Sequence, residues 1–236
     1  MDPNLHLKQT PVTPGTPQLC APREILLQSA MFRLGDVEDE IRAGYDVVRK
    51  QHKTVTIFGS ARLPETSEYY RAARAVGRKL AQDNYTVITG GGGGIMEAGN
   101  RGAFEVGGNS VGFNILLPHE QSLNAYTNDS FAFRHFAPRK IVMTLYADAY
   151  VFFPGGFGTL DELSEILTLV QTGKTTKAPI ILFGTKFWCK FDEFVRTQLL
   201  EAEHLISPGD EHLYTITDDI EEVVRLVQEN RTYCEH

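Results

Sequence analysis

Two glycine-rich stretches are each followed, within a few residues, by an acid. Gly90-Gly91-Gly92-Gly93-Gly94 precedes Glu97, and Gly155-Gly156-Phe157-Gly158-Thr159 precedes Glu162. A glycine loop that opens a helix brings backbone N–H groups up to an anion without Cβ obstruction, and the helix dipole adds favourable potential. Thr159 can offer a hydroxyl to a phosphate held by those amides. Glu162, three residues on, shares its helix face, where a carboxylate could meet the sugar of a bound nucleotide. Glu97 has the matching position after the first loop, with ribose hydroxyls or a bound water as its contact. Arg139 and Lys140, in Pro138-Arg139-Lys140-Ile141-Val142-Met143, would supply charge to a phosphate or a leaving base, the arginine bidentately. Each feature also has a plainer reading: tight turns for the glycines, helix-terminal electrostatics for the two acids, ordinary surface cations for Arg139 and Lys140. Asp161 and Glu165 read as solvated neighbours.

The familiar nucleotide motifs are missing. No Gly-Lys-Ser/Thr follows either loop, so neither is a Walker A turn. A G-x-G-x-x-G pattern would need glycine at 95 or 161, where Ile95 and Asp161 stand. The seven histidines, His6, His52, His119, His135, His204, His212 and His236, have no metal-ligand spacing; His135, near Arg139, is the one to watch, with a structural role as its plainer reading. Neither a metal nor a cofactor is expected.

The elements that must hold these residues alternate. Short apolar runs at 55–58, 86–88, 110–113, 149–153, 179–183 and 214–216 are bounded by glycine, proline or polar residues, as buried parallel strands are. Helical stripes lie between them, such as Tyr69, Ala72, Ala73, Val76, Leu80 and Leu163, Ile166, Leu167, Val170. Asp218 and Asp219 suit the start of a final helix over 220–227. This repetition predicts an α/β, Rossmann-like, doubly wound parallel sheet with helices on both faces. In such sheets ligands bind beyond the carboxyl ends of the strands. Those ends carry Gly59-Ser60, the five-glycine run and Pro154-Gly155-Gly156. The domain is expected over 54–230. Ahead of it, residues 23–50 show helical periodicity, which Gly35-Asp36 could break in two, within an extension over 22–53. Residues 1–21, with Pro3, Pro11, Pro14 and Pro17, read as a flexible arm, and 231–236 as a tail.

The 236 residues carry 23 Lys+Arg against 30 Asp+Glu, a net charge of −7, which disfavours nucleic acid as a partner. No stretch approaches the roughly 20 apolar residues of a membrane span, and no signal-peptide pattern is visible. Cys20, Cys189 and Cys234 are odd in number and far apart, forming neither a disulfide framework nor a metal site. A reduced, cytoplasmic protein is the expectation.

Gly90–Gly94 with Ile95-Met96-Glu97-Ala98, then Arg139-Lys140 with Met143, then Pro154-Gly155-Gly156-Phe157-Gly158-Thr159-Leu160-Asp161-Glu162 resemble the LONELY GUY (LOG) family, formerly labelled lysine decarboxylase-like. The resemblance covers roughly residues 54–230. It implies a phosphoribohydrolase that cleaves the N-glycosidic bond of nucleoside 5′-monophosphates, cytokinin riboside monophosphates or AMP, and assembles as a homodimer or larger homo-oligomer. Carried over by position, it makes Arg139 and Glu162 the catalytic pair. Gly155, Gly156, Gly158 and Thr159 become the phosphate cradle, Gly59 and Ser60 line the same pocket, and Gly92, Gly93, Glu97 and Lys140 complete the substrate contacts. Gly93 stands where the commoner motif has Pro, Ser or Thr, and the N-terminal helical arm is absent from the short plant-type members.

A pyridoxal-dependent decarboxylase would need a lysine in a characteristic context, which Lys140 lacks. A non-catalytic carrier of a nucleotide or of molybdenum cofactor on the same fold is the closer rival. Glu162 separates the two, because a carrier has no use for a carboxylate beside the anomeric carbon.

Overall fold

A computed structural model describes residues 22–117, 122–145, 147–175 and 177–229. The expected N-terminal arm and the C-terminal tail lie outside these residues. Helix α1 spans Arg23–Val48 and runs unbroken through Gly35-Asp36. Nothing crowds Gly35, and a single glycine in a helix costs only about 1 kcal/mol, too little to end it. Residues 23–36 expose Ile25, Leu27, Met31 and Leu34.

The α/β unit then alternates: β1 (Thr54–Phe58), α2 (Glu68–Gln82), β2 (Thr86–Thr89), α3 (Ile95–Phe104), β3 (Ser110–Ile115), β4 (Asp129–Phe133), α4 (Phe136–Thr144), β5 (Ala149–Phe152), α5 (Phe157–Gln171), β6 (Ile180–Phe183), α6 (Thr185–Phe194), β7 (Thr215–Thr217) and α7 (Ile220–Glu229). The end of α6 widens into π-helical turns over Val195–Ala202. All strand pairs are parallel, in the order β4-β3-β2-β1-β5-β6-β7. The expected doubly wound sheet is therefore present. Strand order reverses between β1 and β5, whose register pairs Val55 with Ala149 and Phe58 with Phe152. That is the topological switch point at which such sheets take ligands.

Strand residues alternate between two cores, one on each face. Phe58, Tyr150, Phe152 and Leu182 pack with Val142 and Met143 of α4, Leu163 and Ile166 of α5, and Trp188 of α6. Val55, Ile57, Val87, Val151 and Ile181 pack with Val76 and Leu80 of α2, Ala98 and Ala103 of α3, and Val223 and Val227 of α7. The helices α2 and α3 approach closely through glycine. A Cβ on Gly77 would come within 2.2 Å of the Gly99 carbonyl oxygen, and one on Gly102 within 2.0 Å of the Arg74 carbonyl oxygen.

Two elements escaped the sequence pattern. Strand β4 is an edge strand, Asp129-Ser130-Phe131-Ala132-Phe133, with one partner and only its last residue buried; it lacks the continuous apolar run of a central strand. Helix α6 exposes much of its surface and buries Trp188 alone among its residues, so its apolar stripe is too narrow to read. Pro138, expected at the first position of α4, is the third.

Candidate functional site

The switch point gathers the loops that follow β1, β2 and β5. Ser60 ties them together: its N–H donates to the Pro154 carbonyl (3.0 Å), and its own carbonyl accepts the Ile95 N–H (3.0 Å) that opens α3. Its hydroxyl accepts from the Arg62 N–H at 3.1 Å. Gly59 is required by the approach of α3, since a Cβ there would lie 2.6 Å from Ile95 Cγ2. Gly94, at φ 63°, starts that helix in a conformation L side chains avoid, and a Cβ would meet the Ser60 carbonyl at 2.3 Å.

The five-glycine loop is anchored from below by a buried polar cluster. Asn100 of α3 has its side-chain oxygen accepting from the Thr89 hydroxyl (2.5 Å) and from Asn124 Nδ2 (3.0 Å). Its own amide donates to Ser110 Oγ and the Val111 carbonyl. Asn124 also donates to the Gly92 carbonyl at 3.0 Å, and its backbone N–H to that of Gly91 at 2.8 Å. Gly91 N–H donates to Thr89 Oγ1. Burying so many polar groups is tolerable only when each is satisfied; here the result is a fixed loop. Gly93, at the turn, is open but for the Ala61 carbonyl oxygen 3.6 Å from a Cβ placed there.

The second loop is of the other kind. Gly156, the N-cap of α5, has no side-chain cap, and neither Gly156 nor Gly158 has anything within 4 Å of the Cβ direction. No side chain caps the first amides of α5, as an anion site requires. Gly155 leaves room for Thr159, whose Oγ1 would be 2.1 Å from a Cβ on that glycine; the threonine is buried. Phe157, between the two open glycines, is 92% exposed.

Arg139 and Glu162 meet beside this opening. Arg139, in α4, is 7% exposed. Its Nε donates to the Phe113 carbonyl at 2.7 Å, and Nη1 stands 3.8 Å from Glu162 Oε1. Its Nη2 lies against Gly90, 2.2 Å from where a Cβ would be. The first residue of the five-glycine run is thus glycine because the guanidinium occupies the side-chain volume. Burial raises the Glu162 carboxyl to about 7, with Arg139 opposing the shift. Burial likewise pulls the Arg139 guanidinium down while Glu162 holds it up. A carboxyl poised near neutrality, next to a cation and at an open helix N-terminus, can carry a proton or stabilise a developing cation.

Lys140 extends the pairing between the same two helices. Its Nζ lies 3.0 Å from Asp161 Oδ2 and 2.9 Å from Glu165 Oε2. Burial disfavours its charge, but these carboxylates outweigh that and raise its pKa. Asp161 is exposed as expected, yet both acids have this cross-helix role, which nothing in their sequence spacing displays. Glu97 is engaged from α2: Oε1 accepts the buried Tyr70 hydroxyl at 2.7 Å, whose pKa is pushed up to about 12 by burial and by this bond. His135 pairs with Glu40, not with Arg139. No sequence pattern displays the roles of Glu40, Asn100 and Asn124, because their partners lie on other elements of the fold.

The fold and the site define a Rossmann-like α/β protein with an anion-ready helix terminus and a buried carboxyl–guanidinium pair at the switch point. Residues 96–227, more than half of the chain, match the family described as possible lysine decarboxylase, and the chain belongs to this family, the LOG family its motifs resemble. It is 25% identical over 185 residues to a cytokinin riboside 5′-monophosphate phosphoribohydrolase, LOG1, of Arabidopsis thaliana, covering 77% of this chain and 85% of that one. The X-ray structure of a structural genomics target superposes with a TM-score of 0.57 at 26% identity, over 75% of this chain and 99% of the other. The molybdenum cofactor carrier protein of Chlamydomonas reinhardtii gives 0.56 at 21% identity, over 76% and 98%, and shares the fold.

Proposed function

We propose that this protein is a phosphoribohydrolase acting on nucleoside 5′-monophosphates, AMP or a cytokinin riboside monophosphate, to give free base and ribose 5-phosphate. The observation that carries this reading is the buried Arg139–Glu162 pair, 3.8 Å apart, beside the uncapped N-terminus of α5. The 5′-phosphate binds the amides of Gly156, Gly158 and Thr159 and the Thr159 hydroxyl, so that remote binding energy positions the sugar. As the C1′–N bond breaks, its electron pair leaves with the base and C1′ gains oxocarbenium character. Ionised Glu162 stabilises that charge and accepts a proton from the water whose oxygen bonds to C1′. Arg139 offsets the negative charge on the departing base, which is then protonated from solvent. Lys140, held by Asp161 and Glu165, keeps α4 and α5 in register, and the polar face of Glu97 is left to the ribose side of the pocket. The active unit is a homodimer or larger homo-oligomer.

The named relatives support this reading at modest identity. The carrier's likeness, at 21%, extends to fold alone, and carrying a ligand does not require the buried Glu162 that the hydrolytic step uses. The test is to incubate the purified protein with AMP or isopentenyladenosine monophosphate and separate the products by chromatography. Free base is expected from wild type. Glu162→Gln should lose at least about a hundredfold in kcat, as removal of a principal transition-state group does, while retaining nucleotide binding. Binding without base release by wild type would overturn the proposal in favour of a carrier.

A further inference from the structure

Helix α4 carries Arg139, yet it lacks a cap of its own: its N-cap residue His135 makes no side-chain capping bond. Pro138, its third residue, has no N–H to offer. The two residues that lead into this helix, Arg134 and the N-cap His135, are held from α1. Glu40, 4% exposed, accepts the backbone N–H groups of Arg134 (3.1 Å) and His135 (3.2 Å). Its carboxylate also meets Arg134 Nε at 3.1 Å and His135 Nδ1 at 3.3 Å. A carboxylate at a helix N-terminus is favoured by the dipole, and here it is supplied from another element. One turn later α1 touches the same structure again, at Gly44. A Cβ on this glycine would lie 2.6 Å from Val142 Cγ2 of α4 and 2.9 Å from Phe133 Cζ of β4. Two successive turns of α1 thus clamp the β4–α4 junction.

We propose that Glu40 is a positioning residue for Arg139, fixing the start of α4 so that the guanidinium stays against Gly90 and Glu162. The kinetic half of this inference rests on the hydrolase reading; the structural half does not. Glu40→Gln keeps the side chain's size, removes its charge and leaves one acceptor for two N–H groups. In the full-length protein, amide hydrogen exchange should rise in residues 136–144 of this variant and stay unchanged in 157–171. With AMP as substrate, kcat should fall roughly ten- to a hundredfold, as ångström-scale misplacement gives, with KM within about twofold of wild type. Glu40→Asp should recover part of the loss. Because Glu40 acts through Arg139, the double variant Glu40→Gln/Arg139→Ala should be no slower than Arg139→Ala alone.

Unchanged exchange in 136–144 overturns the inference, and so does an additive loss in the double variant, which would mark Glu40 as a general stabiliser. If wild type releases no base, the hydrolase reading fails separately, and the exchange pattern alone decides whether Glu40 holds α4.

Discussion

Glu162 brings a protonation equilibrium into the neutral range. Its reference value is 4.5 and burial lifts it to about 7, so a large part of the population carries the proton at pH 6. The proposed step needs the ionised form. The sign follows: kcat/KM should climb with pH, close to tenfold per unit below about 7, and level off above it. A rate profile between pH 5 and 9 with AMP measures this, and a flat acid limb would remove Glu162 from the role of base. At this scale the sequence was informative where chemistry is local. Thr159 and Glu162 could be placed on one helix turn from spacing alone, and the glycines before them could be read from their place between a strand and a helix. The meeting of Glu162 with Arg139 came from family resemblance, because no spacing rule connects residues on separate helices. Lys140 shows the same limit: its carboxylate partners are legible as residues but not as partners.

At the scale of elements, glycine has two unrelated uses here. In the sequence the glycine runs stand at the strand ends that form the ligand edge, and Gly90, Gly156 and Gly158 fit that. Gly77 and Gly102 instead let two helices touch backbone to backbone. A Cβ on Gly102 would strike the Arg74 carbonyl 2.0 Å away, and backbone cannot swing aside as a side chain can. Gly102→Ala should therefore destabilise the protein by about 1–3 kcal/mol, the range for overpacking, visible as a lower urea midpoint. A stability equal to wild type would contradict the close crossing. The alternation of central strands and helices was readable because those strands are buried on both faces and appear as continuous apolar runs. Strand β4 was not, because an edge strand with one partner keeps polar residues, and its place is set by pairing with β3, not by its own pattern.

At the scale of the whole molecule, one tryptophan reports on the core. Trp188 is fully buried, and its indole N–H donates to the carbonyls of Phe152 and Phe183, 3.2 Å from each. Those residues end two adjacent strands, β5 and β6, so the ring senses the integrity of the sheet as well as of α6. The native protein should fluoresce at a blue-shifted wavelength and shift red on unfolding, in a transition coincident with loss of far-ultraviolet circular dichroism. A red shift at lower denaturant than the circular dichroism change would show that α6 detaches before the sheet. Among the described residues no helix is long and apolar enough to cross a membrane.

The strand order has a consequence for the order of assembly. β1 and β5 are sheet neighbours, but Val55 must find Ala149 across the whole of the intervening chain, including three other strands. Closing such a long loop is entropically late, and Ser60 and Pro154 join only once it is closed. The switch-point edge, with the uncapped start of α5, therefore does not exist in any partially synthesised chain that stops short of β5 and α5. A nascent chain emerging from the ribosome lacks the proposed nucleotide site until β5 and α5 dock, with β6, α6, β7 and α7 still to follow.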